Sequence, residues 1–98
     1  MKKLYSVIAL LIVAALALSA CGGSSSAFKV GQVTDLGGID DKSFNAGAYQ
    51  GIEKAIADLK VEGKYLESTQ QSDYNKNIQQ YIDEDTNLIV TVGFLLGV

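Results

Sequence analysis

From about residue 28 onward the sequence predicts an open α/β layer built on parallel strands. Two observations carry that expectation. Apolar spacing switches between a period near two and a period near 3.6, in the order strand, helix, strand, helix, strand, which argues for a parallel sheet with right-handed crossovers. The last strand segment, Leu88-Ile89-Val90-Thr91-Val92, is almost continuously apolar. Strands covered on both faces read this way.

The first 20 residues stand outside this pattern. Met1-Lys2-Lys3 is a short basic start, residues 7–18 are apolar, and Ser19-Ala20-Cys21 follows. A charged start, a short apolar core and small residues before a cleavage point make a secretory signal. The 12-residue apolar core is short beside the roughly 20 residues of a permanent transmembrane helix. Leu18-Ser19-Ala20-Cys21 resembles the bacterial lipobox, which implies cleavage before Cys21 and lipid on its sulfur. The chain has one cysteine, so no internal disulfide competes for that thiol. Residues 22–26 form a Gly/Ser tract, the composition of a flexible tether. The expected organisation is a signal peptide over 1–20, a lipid-anchored linker over 21–27, and an incomplete N-terminal α/β lobe over 28–98.

Within that lobe, Phe28-Lys29-Val30-Gly31-Gln32-Val33-Thr34 reads as the first strand, by alternation and by its Val, Phe and Thr content. Asp35-Leu36-Gly37-Gly38 breaks it with loop residues. Phe44, Ala48, Ile52, Ala55, Ile56 and Leu59 then recur at helical spacing, with Asp40 or Asp41 placed to cap the helix start. Gly47 and Gly51 weaken that helix and are expected where another backbone packs closely. Residues 64–68 fit a short second strand. A second helix follows, capped by Ser72 or Asp73 and burying Tyr74, Ile78, Tyr81 and Ile82. After the third strand the sequence offers no helix to cover it, so the 98 residues are expected to be the opening part of a longer protein.

Composition excludes several functions. Lys2 and Lys3 belong to the signal, which leaves six lysines against all 11 acidic residues after Cys21, a formal charge of −5 with no Arg and no His. Nucleic-acid binding needs a basic face, so no nucleic-acid partner is expected. Docking on anionic lipid through protein charge is equally disfavoured, and membrane attachment falls to the lipid on Cys21. Without histidine or a second thiol, and with neither G-x-x-x-x-G-K-[ST] nor G-x-G-x-x-G in the sequence, no catalytic residue, metal or cofactor is expected. Asp40-Asp41 has no further ligand at a metal-binding spacing.

Open parallel sheets bind ligands beyond the carboxyl ends of their strands, at the switch point of strand order. For the common order 2-1-3, that crevice is bordered by Asp35 and its loop, the start of the first helix, and Gly93-Phe94. Phe44 fits this place as an exposed aromatic and fits the helix stripe equally well as a core residue. Asp35 also suits plain turn chemistry, Asn45 a solvated first turn, and Phe94 packing beneath the sheet.

The same residues carry a likeness. Val33-Thr34-Asp35-Leu36-Gly37-Gly38-Ile39-Asp40-Asp41-Lys42-Ser43-Phe44-Asn45 resembles the opening motif of the basic membrane protein family, the PnrA-like nucleoside-binding lipoproteins of ABC importers. The likeness continues through Tyr65-Leu66-Glu67-Ser68, Asp73-Tyr74, Asn77, Asp85, Leu88-Ile89-Val90 and Val92-Gly93-Phe94. Ala46 departs from it, where the family more often has glutamine. The resemblance implies the first part of a type I periplasmic-binding-protein fold, two α/β lobes closing on a ligand at their hinge. It implies a purine stacked on Phe44, hydrogen bonds to the nucleoside from Asp35 and Asn45, and an ABC permease as partner. Two other classes remain open: the same fold with another small ligand such as a sugar, and a surface or signalling lipoprotein that binds a partner protein.

Overall fold

The computed structural model describes residues 1–19 and 26–97. Helix α1 (Lys2–Ser19) contains the apolar core of the expected signal. No helix among the described residues is long and apolar enough to cross a membrane. Cys21 and the greater part of the Gly/Ser tract lie outside the described residues, so the lipidation site receives no structural description.

The remaining elements are β1 (Lys29–Val33), α2 (Phe44–Leu59), β2 (Glu62–Leu66), α3 (Ser72–Asp83), β3 (Leu88–Thr91) and a short 3-10 turn (Phe94–Leu96). The three strands form one sheet in the order β2-β1-β3. Both pairings are parallel, with Lys29 opposite Glu62 and Val30 opposite Leu88. This is the open α/β sheet that the alternating periods predict, with β1 at its centre.

Two strand glycines set how closely the helices approach. A Cβ on Gly63 would lie 2.5 Å from the Ile52 side chain of α2, and one on Gly31 would lie 2.5 Å from the Tyr81 ring of α3. The missing side chains are therefore the sockets into which each helix docks. Tyr81 is fully buried, and its hydroxyl lies 3.1 Å from both the Gln32 and Lys64 carbonyls, to which it donates. Val30, Val33, Ile52, Tyr74 and Tyr81 make the apolar core.

Several expectations are corrected by this packing. The second strand is Glu62–Leu66, two residues earlier than expected, and Gly63 within it is a docking socket for Ile52. Lys60 in the left-handed conformation ends α2 and turns the chain straight into that strand. Gly47 and Gly51 face open space, with nothing within 4 Å of an added Cβ. The stripe of α2 is buried at Ile52 but frays at both ends, with Phe44 and Leu59 exposed. On α3, Tyr74 and Tyr81 are buried while Ile82 is exposed, since the helix rests on β1 through its tyrosines. Strand β3 is not covered on both faces: Leu88 is half exposed, because α2 packs on β2 and α3 on β1.

Candidate ligand-binding site

Four polar side chains are buried as deeply as the apolar core: Gln32, Thr34, Asn45 and Ser68. Apart from Gln32, within β1, they sit at or just beyond the carboxyl ends of β1 and β2 or at the start of α2. Burying polar groups costs stability unless they are paired, so a polar cluster there fixes geometry. It organises the loop from Thr34 to Ser43. The Thr34 hydroxyl accepts the Ser68 amide at 3.2 Å and links the chain leaving β1 to the chain leaving β2.

Asp41 builds the start of α2. One carboxylate oxygen accepts the amides of Ser43 (2.8 Å) and Ala46 (3.0 Å), and the other accepts the amide of Asn45 (2.9 Å). First-turn amides have no partner inside a helix, and a nearby carboxylate satisfies them with a charge of the favourable sign. Of the two candidate caps, Asp41 therefore does this work, although the capping position itself is held by Ser43. The Ala46 amide, with those of Asn45 and Ser43 and the Asn45 side chain, holds the Asp41 carboxyl down at about 2 against the partial desolvation that opposes it.

Asp35 follows β1 and is tied on one side only. Its Oδ1 accepts the Gly37 amide at 2.9 Å and the Asn45 side-chain amide at 2.7 Å. Among the described residues its Oδ2 accepts no hydrogen bond. Oδ2 rests against Gly93, two residues past the end of β3. A Cβ on Gly93 would stand 2.6 Å from the Asp35 Cβ and 2.9 Å from Oδ2. Gly93 also has φ of 131°, a conformation that side chains rarely tolerate. The two strand ends thus approach each other only because residue 93 is glycine.

Two aromatic rings border this point. Phe44 at the start of α2 is 80% exposed and Phe94 after β3 is 90% exposed. Together with Asp35, Ala48, Val90 and Gly93 they line an open groove of about 720 Å³. That volume falls in the range of small-molecule sites, roughly 300–1,000 Å³. A smaller hollow of about 280 Å³ continues past Asp35 and Phe94 toward Tyr74. A third cavity of about 250 Å³ lies at the amino ends of the strands beside Lys29, Lys64 and Tyr81, away from every residue of this set.

The structure therefore brings Asp35, Phe44, Gly93 and Phe94 onto one groove at the carboxyl ends of β1 and β3. Asn45 lies directly beneath Asp35. Sequence reasoning missed two organising residues. Gln32, in the middle of β1, donates to the Asn45 carbonyl at 2.9 Å. Glu67 reaches back from the end of β2 to accept the Ile39 amide at 2.8 Å. A glutamine inside an otherwise apolar strand was the available signal for the first. No local signal marks the second, because its partner is 28 residues away.

Residues 28–97 match the family described as ABC transporter substrate-binding protein PnrA-like. The chain belongs to that family. Among curated PnrA-like relatives, the CD4+ T-cell-stimulating antigen of Listeria innocua is 35% identical over 114 residues, covering 98% of this chain and 32% of the relative. Its Listeria monocytogenes counterpart is similar to the same extent. An uncharacterized lipoprotein of Pyrococcus abyssi is 35% identical over 104 residues, covering 97% of this chain and 26% of its own length. The chain thus spans about a third or less of the PnrA-like relatives it matches. The matched span takes in β1 through the 3-10 turn, and with it the whole groove.

Proposed function

We propose that this segment supplies one wall of a purine-nucleoside site in a lipid-anchored substrate-binding protein serving an ABC importer. The observation that carries the reading is the convergence of two exposed phenylalanines and one half-free carboxylate on a single groove. Large aromatic rings left 80% and 90% exposed lose apolar burial unless something covers them. A flat base fits between such surfaces, and each base stacked on an aromatic contributes roughly 1–3 kcal/mol. The free Oδ2 of Asp35 is an acceptor aimed at the donors of a base edge or a ribose.

Charge narrows the ligand class further. Asp35, Asp40, Asp41 and Glu67 outnumber the single cation of the loop, Lys42, and the mature chain has no Arg or His. A phosphate would meet repulsion here, so the reading favours neutral nucleosides over nucleotides. Residues 1–20 act as the signal, Cys21 carries the lipid, and residues 22–27 tether the lobe at the extracytoplasmic face of the membrane. The groove binds and hands over its ligand to a permease, with no chemistry performed on it.

A thermal-shift screen of the full-length protein tests this reading. Guanosine, inosine or adenosine should raise the melting temperature in a concentration-dependent way, as any ligand selective for the folded state does. The matching nucleoside monophosphates and common sugars should leave it in place. Stabilisation by sugars alone would overturn the nucleoside assignment while keeping the transport role. Stabilisation by none of them would favour a protein partner.

A further inference from the structure

We propose that Glu67, seated by Ser68 and Asn77, is a positioning residue: its side chain straps the loop between β1 and α2 and holds the Asp35 carboxylate in place for its ligand. The loop needs such a strap. Gly37 and Gly38 stand side by side in it, and glycine leaves a backbone its widest choice of conformations. Two of its amides return to Asp35, that of Gly37 to Oδ1 at 2.9 Å and that of Gly38 to the carbonyl at 3.3 Å. Among the described residues, residues 36–40 make one hydrogen bond outside the loop, from the Ile39 amide to Glu67 Oε1 at 2.8 Å. A charged acceptor makes such a bond roughly twice as strong as a neutral one. Gly38 admits the carboxylate, since its φ is 71° and a Cβ there would lie 3.3 Å from Oε1.

Glu67 can act as a strap because its own backbone is fixed from three sides. Leu66 before it pairs with Val33 of β1, and the Leu66 carbonyl accepts the Thr34 amide at 3.0 Å. Ser68 after it is buried, and the Ser68 amide donates to the Thr34 hydroxyl at 3.2 Å. From α3, the Asn77 side-chain amide donates to the Glu67 carbonyl at 3.1 Å and to the Ser68 hydroxyl at 3.0 Å. The bonds thus run from α3 through the end of β2 to the loop that carries Asp35. They give a role to Glu67, Ser68 and Asn77, none of which lines the groove. A loop held by such outer bonds keeps its geometry before the ligand arrives, and that preorganisation appears as affinity.

The strap itself needs no ligand; only its effect on affinity rests on the proposed nucleoside site. The test compares full-length wild type, Glu67→Ala and Glu67→Gln by amide hydrogen exchange and by guanosine titration. Alanine removes the acceptor, whereas glutamine removes the charge and keeps a carbonyl oxygen for the Ile39 amide. In Glu67→Ala the Ile39 amide should exchange about tenfold faster or more, and the Gly37 and Gly38 amides should accelerate with it. The ladder amides of Thr34 and Val92 should keep their rates. Guanosine affinity should fall about tenfold as the loop loses its preorganisation. Glu67→Gln should bring exchange and affinity back to within about threefold of wild type, because a neutral acceptor keeps much of the bond. An unchanged Ile39 amide or an unchanged guanosine affinity in Glu67→Ala would overturn the proposal. So would acceleration reaching Thr34 and Val92, or a Glu67→Gln that protects Ile39 yet binds guanosine as poorly as Glu67→Ala. If guanosine does not bind the wild type, the nucleoside reading fails, and the ligand-free rates of Gly37, Gly38 and Ile39 still decide the strap.

Discussion

The two oxygens of Asp35 occupy different surroundings, and that asymmetry is set by its neighbours. Gly37 and Asn45 donate to one oxygen, and Gly93 leaves room for the other. The family motif makes Asp35, Phe44 and Asn45 legible as candidate site residues. It does not reveal that Asn45 is buried while Phe44 is bare, because helical spacing places both on the first turn of one helix. Phe44 fits an apolar stripe, yet at the helix start it borders the open groove with Val90 and Val92 and stays exposed. Gly93→Ala is the sharpest single-residue test of the close approach. Its φ alone costs a side chain about 1–3 kcal/mol, and the new Cβ would displace Asp35. We expect a lower melting temperature and loss of nucleoside binding together, measured by thermal melts and calorimetry. Wild-type affinity in Gly93→Ala would show that Asp35 is free to move aside.

At the scale of elements, the helices and strands were legible because their periods are clean, and the boundaries were less so. Gly63 resembles a breaker in sequence and is a docking socket in the fold, a distinction that depends on Ile52 and Ile56 eleven and seven residues away. Asp73 shows the same limit. It lies within α3 and turns back to accept from Thr69 and Gln70, which fixes the preceding turn and leaves the helix start to backbone bonds. Carboxylates at the helix ends make stability depend on acid, Asp41 and Asp73 at helix starts and Glu84 just past the end of α3. Asp41 titrates at about 2 in the fold against an ordinary 3.8, Asp73 lies well below the usual carboxylate range through its bonds to Gln70 and Thr69, and Glu84 is lowered by Lys64. Each binds protons more readily when unfolded. Their stabilisation is therefore complete only above about pH 5, beyond the ordinary carboxylate values of 3.8 and 4.5, and is lost progressively as pH falls toward 2. Melting temperature should drop across that window, and Asp41→Asn should show a lower value at pH 6 and a shallower fall below pH 4. An equally steep acid limb in the variant would assign the effect to other groups.

For the molecule as a whole, the sheet order follows from topology, and so does the place of the groove. An order of 2-1-3 places a crevice between the carboxyl ends of the first and third strands, and the groove lies there. The exposed face of β3 was not legible, because an apolar strand reads alike whether or not this segment covers it. The proposed anchor belongs to this scale too, since it would decide where the lobe works. Cys21→Ala should abolish palmitate labelling and move the protein out of the detergent phase, and continued labelling would sink the lipoprotein assignment.

The groove is the centre of the account, and titration calorimetry of guanosine or inosine into the full-length protein tests it most directly. Wild type, Phe44→Ala and Asp35→Ala should be compared under one buffer. Losing one base stack should weaken binding by roughly 1–3 kcal/mol, about 5- to 150-fold. Losing Asp35 should cost as much or more, because ligand donors would be left unpaired. Unchanged affinity in both variants, with wild-type stability, would place the ligand elsewhere and contradict the site described here.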